Sequence, residues 1–106
     1  MIAKYVHDGL AIDYTPAADV AAGDIVATGS LIGVARLDIK AHELGALAMT
    51  GVYDVAKADS ATFALGAPVY WDADTNKACT TSSKPKLGIA IVAAQSADAI
   101  VRVRIG

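Results

Sequence analysis

The sequence is poor in the residues from which most disulfide, metal and catalytic sites are built. Its 106 residues include one cysteine, one glutamate, one glutamine and two histidines. A single cysteine, Cys79, excludes an internal disulfide and any zinc site made from several cysteines. We therefore expect a domain that suits the reducing cytoplasm in which it is made.

Long apolar stretches and clusters of positive charge are also missing. The composition is 55% hydrophobic, but 23 of those residues are alanine. The longest strongly apolar stretch, Leu87 to Ala94, is far shorter than the roughly 20 residues of a membrane-spanning helix. Because the first residues carry charges at short intervals, we expect no secretory signal. Nine scattered lysines and arginines with a net charge of −2 do not suit a phosphate backbone. We expect neither membrane nor nucleic acid as a partner.

No sequence motif of nucleotide, hydrolase or protease chemistry is complete. The run Gly29–Gly33 lacks the lysine of a phosphate-binding loop, and no serine lies in a G-x-S-x-G elbow. His7 and His42 have no second histidine at a ligand spacing, so we expect both to face solvent. We therefore predict a protein that is not an enzyme, with no catalytic residue, no cofactor and no metal.

One short stretch copies the start of a calcium loop. Asp72, Asp74 and Asn76 match its first three ligand positions. However, Lys77 stands where the loop needs glycine, and Ser83 stands where it needs a bidentate glutamate. We interpret the stretch as a polar hairpin turn, in which short side chains cap their own backbone amides.

The apolar residues occur in short runs bounded by Gly, Asp, Asn and Ser, which predicts strands and an all-β fold. Residues 4–7 and 10–14 flank Asp8-Gly9, a dipeptide suited to a two-residue turn, so we expect an N-terminal hairpin. The further strands are predicted at 25–27, 31–37, 46–52, 69–72, 78–81, 87–92 and 99–105.

A spacing of glycines is written twice along the chain. Val20 and Val26 flank Gly23 as Phe63 and Val69 flank Gly66, and Ile32-Gly33-Val34-Ala35 matches Leu87-Gly88-Ile89-Ala90. The first glycine of each copy allows a sharp turn, and the second indicates a bulge or a close approach of two backbones. The pattern predicts a small β-clip or barrel-like domain built from two similar halves about a pseudo-twofold axis.

These observations give a predicted organisation for the chain as a single domain over residues 1–106. The second copy is longer by 12 residues, which we assign to an inserted hairpin. The predicted parts are an N-terminal hairpin arm (1–19), a first half (20–55), a connector (56–62) and a second half (63–106) with the inserted hairpin at 70–86.

The inserted hairpin carries two adjacent aromatic residues, Tyr70 and Trp71. Alternation along a strand places them on opposite faces, so one can lie in the core while the other is at the surface. Burial of both in a sheet covered on two sides is the alternative. Pro68 cannot donate to a ladder, so its strand begins there or lies at an edge.

Several segments together resemble the phage capsid cement, or head decoration, family, which was formerly a domain of unknown function. The most specific segments are Gly-Val-Tyr-Asp followed by lysine and Val-Tyr-Trp-Asp. Ala67-Pro68 departs from the Gly-Asp that is more usual in the family. The resembling segments span nearly the whole chain: Ala3-Lys4-Tyr5-x-x-x-Gly9, Ile12-Asp13-Tyr14, Ala22-Gly23-Asp24-Ile25-Val26, Ile32-Gly33-Val34-Ala35, Thr50-Gly51-Val52-Tyr53-Asp54-Val55-x-Lys57, Gly66-x-Pro68-Val69-Tyr70-Trp71-Asp72, Leu87-Gly88-Ile89-Ala90 and Val101-Arg102-Val103-Arg104.

The resemblance implies a homotrimer that binds the outside of a phage or prophage head and clamps major capsid proteins against DNA pressure. The protein would then be a structural part of the virion, made in the bacterial host cytoplasm. Some relatives carry a recombinase label, which the missing phosphate loop argues against here.

We expect Tyr5, His7 and Tyr14 of the N-terminal hairpin to contact the shell, and Tyr70 or Trp71 to lie at a subunit interface. Ordinary packing of Tyr5 and Tyr14 over a small core is the alternative. A second hypothesis is a ligand- or carbohydrate-binding β module, with Trp71 exposed beside Asp72 and Asn76. An enzyme would require a cleft with a perturbed histidine or carboxylate pair.

Overall fold

The computed structural model describes residues 2–6, 9–29 and 31–106, and these residues form nine strands and no helix. No helix in these ranges is therefore able to span a membrane. The strands are β1 (Ala11–Tyr14), β2 (Ile25–Thr28), β3 (Leu31–Val34), β4 (Gly45–Ala48), β5 (Gly51–Ala56), β6 (Pro68–Asp72), β7 (Lys77–Cys79), β8 (Lys86–Ala90) and β9 (Ile100–Ile105). They form two antiparallel sheets, in the orders β1-β4-β3-β2 and β5-β9-β8-β6-β7. The all-β prediction is confirmed.

The predicted N-terminal hairpin is wrong in its pairing. Residues 4–6 lie outside any strand, and β1 pairs instead with β4, from Ala11 opposite Ala48 to Tyr14 opposite Gly45. His7 and Asp8, which the prediction placed at the turn, lie outside the described residues. A lone two-stranded hairpin is marginally stable, whereas pairing with β4 lets alternate β1 side chains pack on a small apolar cluster.

The strand predicted over 46–52 is in fact two strands in different sheets. β4 ends at Ala48 and β5 begins at Gly51, which has a φ of 126°. Glycine adopts this conformation readily, so the chain bends there and passes from the first sheet to the second. β5 then pairs with β9 along its full length. The sequence places residues 51–52 in one strand with 46–50, whereas the structure places them in the second sheet, away from β1 to β4.

The two glycine-marked copies make equivalent backbone hydrogen bonds. In the first, the Gly23 amide donates to the Ala35 carbonyl at 2.6 Å and the Ala35 amide donates to the Asp24 carbonyl at 2.9 Å. In the second, the Gly66 amide donates to Ala90 at 2.7 Å and the Ala90 amide donates back at 2.9 Å, to the residue after Gly66. Isolated bridges join Val20 to Ile39 and Phe63 to Ala94 at matching places. The similarity read from the sequence is therefore a similarity of backbone structure.

Close backbone packing explains the second glycine of each copy. A Cβ built on Gly33 meets the Leu47 Cβ at 3.0 Å, and one built on Gly88 meets the Arg104 carbonyl oxygen at 2.2 Å. Real Cβ atoms essentially never come this close to a backbone oxygen. Neither glycine has a positive φ, so glycine is favoured here because a side chain would meet the neighbouring strand and not because of the backbone conformation. The predicted close approach is confirmed.

One apolar core joins the two sheets. Ile32 and Val34 of β3 belong to the same cluster of buried residues as Val69, Val101 and other residues of the second sheet. Each fully buried valine or isoleucine stabilises the fold by roughly 1.5–3 kcal/mol relative to exposure. The opposite face of the first sheet is covered by a second cluster of Ala35, Ile39 and Leu47. The division of the chain at residues 19, 55 and 62, and its organisation as a single domain, stay predictions.

Replacing Gly88 with alanine is expected to destabilise the domain by about 1–3 kcal/mol, because the new methyl group overlaps the Arg104 carbonyl. Urea unfolding followed by tryptophan fluorescence measures the change in the free energy of unfolding. Gly9→Ala is the matched control, since nothing lies within 4 Å of its built Cβ. Equal stability of the two variants would contradict the close approach of β8 and β9.

Candidate functional site

The segment with the most specific sequence pattern, Gly51 to Lys57, forms one wall of a cleft between the two sheets. Gly51 provides the bend, and the Tyr53 hydroxyl donates back to the Thr50 carbonyl at 3.1 Å. Tyr53 is half-buried, whereas Val55 is buried in the main core. The pattern therefore shapes the wall of a cleft and anchors it to the core.

Asp54 in this segment makes a two-pronged ion pair with Arg102 on the neighbouring strand β9. The Arg102 Nε donates to one carboxylate oxygen at 2.8 Å, and its Nη2 donates to the other at 3.2 Å. This hydrogen bonding, aided by the positive charge of Arg102, holds the pKa of Asp54 below its usual value. Desolvation opposes the shift only in part. The ion pair fixes β5 to β9 on their exposed face.

Lys57 at the end of the segment is 2% exposed and is the one charged residue in the buried set of the described chain. Its ammonium group lies 3.4 Å from the carbonyl oxygens of Ala58 and Ser96. Backbone bonds hold the same place, since the Lys57 amide donates to Ala99 at 3.1 Å and Lys57 bridges Ala78 of β7. Lys57 thus ties the end of β5 to the loop between β8 and β9. Sequence reasoning named this lysine only as part of a resemblance and did not predict its burial.

The cleft beside this segment has a volume of about 780 Å³ and lies between β2 of the first sheet and β5 of the second. Its apolar lining includes Ile25, Ala27, Tyr53 and Trp71. A volume of this order is typical of ligand-binding clefts in proteins. Sequence reasoning missed the cleft, because β2 and β5 are distant along the chain and meet only in the folded protein.

The adjacent aromatic residues lie on opposite faces of β6, as predicted. Trp71 is 5% exposed and belongs to the main core, whereas Tyr70 is half-buried. β6 begins at Pro68, also as predicted. Because its ring is buried, Trp71 does not present a face on which a sugar could stack, so the exposed tryptophan of the carbohydrate-binding hypothesis is wrong. Trp71 instead contributes to the inner wall of the cleft.

The residues predicted to contact a shell differ in burial where the structure describes them. Tyr5 is 75% exposed, in a segment outside any strand. Tyr14 is half-buried and packs on the cluster of Ala35, Ile39 and Leu47. His7 lies outside the described residues, and His42 is exposed, as predicted. A role of Tyr5, His7 and Tyr14 in shell contact stays a prediction.

The calcium-like stretch forms the predicted hairpin turn between β6 and β7. Asp72 lies opposite Lys77 in the register of β6 and β7. The Asp74 amide donates to the Asp72 carboxylate at 3.0 Å. This backbone hydrogen bond, aided by the charge of Lys84 at 3.8 Å, holds the pKa of Asp72 below its usual value. Within the described ranges, no group of three His, Cys, Asp or Glu side chains is placed to hold a metal ion.

Comparison with known proteins identifies a family. The family model described as phage cement protein matches residues 6–105, which is nearly the whole chain. No curated protein and no solved structure matches the chain. The matched range includes the cleft, the segment Gly51 to Lys57 and both glycine-marked copies.

When Asp54 is replaced with asparagine, the free energy of unfolding is expected to fall less as the pH is lowered. The folded-state pKa of Asp54 is lowered, so the stabilisation is present above the unfolded-state pKa of about 4 and is lost as the pH falls through the folded-state value. Urea unfolding between pH 7 and pH 2 measures this slope. Arg102→Gln should reduce the pH dependence of the free energy of unfolding by the same amount, and the double variant should reduce it no further. Independent effects of the two substitutions would contradict the ion pair.

Replacing Lys57 with alanine is expected to lower the free energy of unfolding by about 2–5 kcal/mol, as for other long side chains removed from a core. The exposed Lys40→Ala is the control and should change it by no more than about 0.5 kcal/mol. Thermal and urea unfolding of both variants measure the difference. Similar stability of the two variants would show that Lys57 is not held in the interior.

Proposed function

Since this chain belongs to the phage cement protein family, we propose that it is a structural protein that attaches to the outer surface of a phage head and stabilises it. The single observation that carries this proposal is the family match over residues 6–105. The proposed partners are further copies of the chain, in a homotrimer, and the major capsid protein. The proposed location is the exterior of the virion, after synthesis in the cytoplasm of the bacterial host.

Two features of the fold are compatible with a protein that stabilises a phage head. Its backbone is fixed by two antiparallel sheets with close packing at Gly33 and Gly88, which suits a protein that resists deformation. Its surface keeps large apolar side chains in solvent, among them Leu37, Leu44 and Leu65 at 71–77% exposure. When a partner covers apolar side chains that were in solvent, their removal from water favours binding.

A trimer would bind a shell more tightly than one copy because its contacts act together. When three identical contacts are linked, the second and third form at a high effective concentration. This gain is lost where the capsid subunits are wrongly spaced, since all three contacts then cannot form at once. The proposed protein therefore binds one state of the shell in preference to another and holds neighbouring subunits in that state.

Purified chain is expected to have the mass of a trimer by light scattering and to co-sediment with phage heads that lack it. Expanded heads should bind it and should then release DNA at a higher temperature than bare heads. Unexpanded shells and heads of an unrelated phage are the controls, and both should leave the chain in the supernatant. A monomer that stays in the supernatant with its own expanded heads would contradict the proposal.

A further inference from the structure

The two glycine-marked copies match in their loops as well as at their glycines. Residues 21–24 and 64–67 form equivalent turns, and in each the amide of the last residue donates to the carbonyl of the first at 3.0 Å. The third residue of each turn is a glycine with a positive φ, 92° in the first copy and 84° in the second. A later turn, at 40–43 and at 95–98, closes with the same hydrogen bond at 3.1 Å in both copies. The chain therefore presents the same loop structure twice.

Each copy exposes a pair of apolar residues at equivalent places in these loops. The register of the flanking bridges and strands places Ala22 across from Leu37 in the first copy and Leu65 across from Val92 in the second. We name these the first and the second apolar pair. All four residues are exposed, with Leu37 at 77%, Leu65 at 71% and Val92 at 52%. A single exposed apolar residue is ordinary on a protein surface, whereas these pairs repeat one surface feature in both copies.

The charges around the first apolar pair are not repeated around the second. The residues that flank Leu37 are charged, Arg36 and Asp38, whereas those that flank Val92 are apolar. Asp38 is also held within its own chain, because its carboxylate accepts the Ala22 amide at 2.8 Å. The two pairs thus share a loop shape and an apolar surface but no charge. A partner that binds both pairs binds them through apolar contact.

The size of each apolar pair limits the kind of partner. Two aliphatic side chains expose roughly 200 Å² of apolar surface. A stable interface between two proteins buries about 800 Å² on each partner. One pair is therefore too small to join two proteins by itself, and it adds useful affinity only where several such contacts form together. A shell of identical subunits meets this condition, because it presents one surface many times.

We propose that the two apolar pairs of one chain dock on the same apolar surface of two neighbouring capsid subunits, so that a single chain joins both subunits. The inference rests on the proposed function, since the partner that it names is the subunit of the shell. The first pair belongs to loops next to strands of the first sheet and the second pair to loops next to strands of the second sheet. The apolar core that joins the sheets then sets the distance between the two subunits.

Photo-crosslinking from the equivalent positions 37 and 92 tests this contact on expanded heads. Leu37→Cys and Val92→Cys are each labelled with a benzophenone maleimide. The native Cys79 is buried, and the unchanged chain measures its background. After irradiation, both variants are expected to attach to the same peptide of the major capsid protein, as read by mass spectrometry of the digest. A chain that carries both labels should also give a product of one chain with two capsid subunits.

Leu44→Cys is the matched control, because Leu44 is a leucine of similar exposure, 72%, that lies outside both apolar pairs. It should attach to the capsid protein only at the level of the unchanged chain. Three outcomes would overturn the proposal: attachment of positions 37 and 92 to different capsid peptides, attachment to another copy of the chain, or an equal yield from position 44.

Affinity for heads gives a second readout that does not depend on a label. Leu37→Asp and Val92→Asp should each weaken binding by at least about tenfold, and the double variant more, since each buries a charge where an apolar contact forms. Leu44→Asp should bind as the unchanged chain does. All three residues are exposed, so the unfolding transition should stay the same.

The outcomes separate this inference from the proposed function. Full binding of the double variant to heads would overturn the inference and leave the proposed function standing. A fall in the mass of the double variant by light scattering would assign the apolar pairs to contacts between copies, which also overturns the inference alone. Expanded heads that do not bind even the unchanged chain would overturn both.

Discussion

Close packing at two glycines is the constraint on which the rest of this structure depends. At Gly88 a methyl group would overlap the Arg104 carbonyl oxygen, and at Gly33 it would lie tightly against Met49, Leu47 and the Ala48 carbonyl oxygen. Each glycine stands next to a reciprocal pair of hydrogen bonds, closed by Ala35 in one half and by Ala90 in the other, and both alanines are fully buried. Small residues at these four places let two similar units form, and the apolar core then joins their sheets.

The edges that this arrangement leaves open determine what the surface can do. Closing each half around its glycine places β1 and β2 at the edges of one sheet and puts β5 beside β2 across a cleft. Exposed strand edges pair readily with further strands, so β1 and β2 are the places where the first sheet is open to another chain.

The segment from Gly51 to Lys57 shows how a sequence signature can be structural. Gly51 bends the chain, Asp54 fixes β5 to β9 through Arg102, Val55 enters the core and Lys57 ties the strand end to a distant loop. These roles maintain the wall of the cleft and do not require a ligand. The pattern that indicates the family is therefore explained by the folding of this segment.

The sequence by itself determined the strand class, the approximate places of most strands, the two glycine-marked copies and the opposite faces of Tyr70 and Trp71. These follow from local rules: the period of two along a strand, the tolerance of glycine for close approach and the inability of proline to donate. Only the tertiary structure decided that β1 pairs with β4, that β5 joins the second sheet, that Lys57 is buried and that β2 and β5 enclose a cleft. Each of these depends on contacts between residues far apart in sequence, and such contacts are set by which apolar surfaces are buried together, a quantity that no local pattern contains.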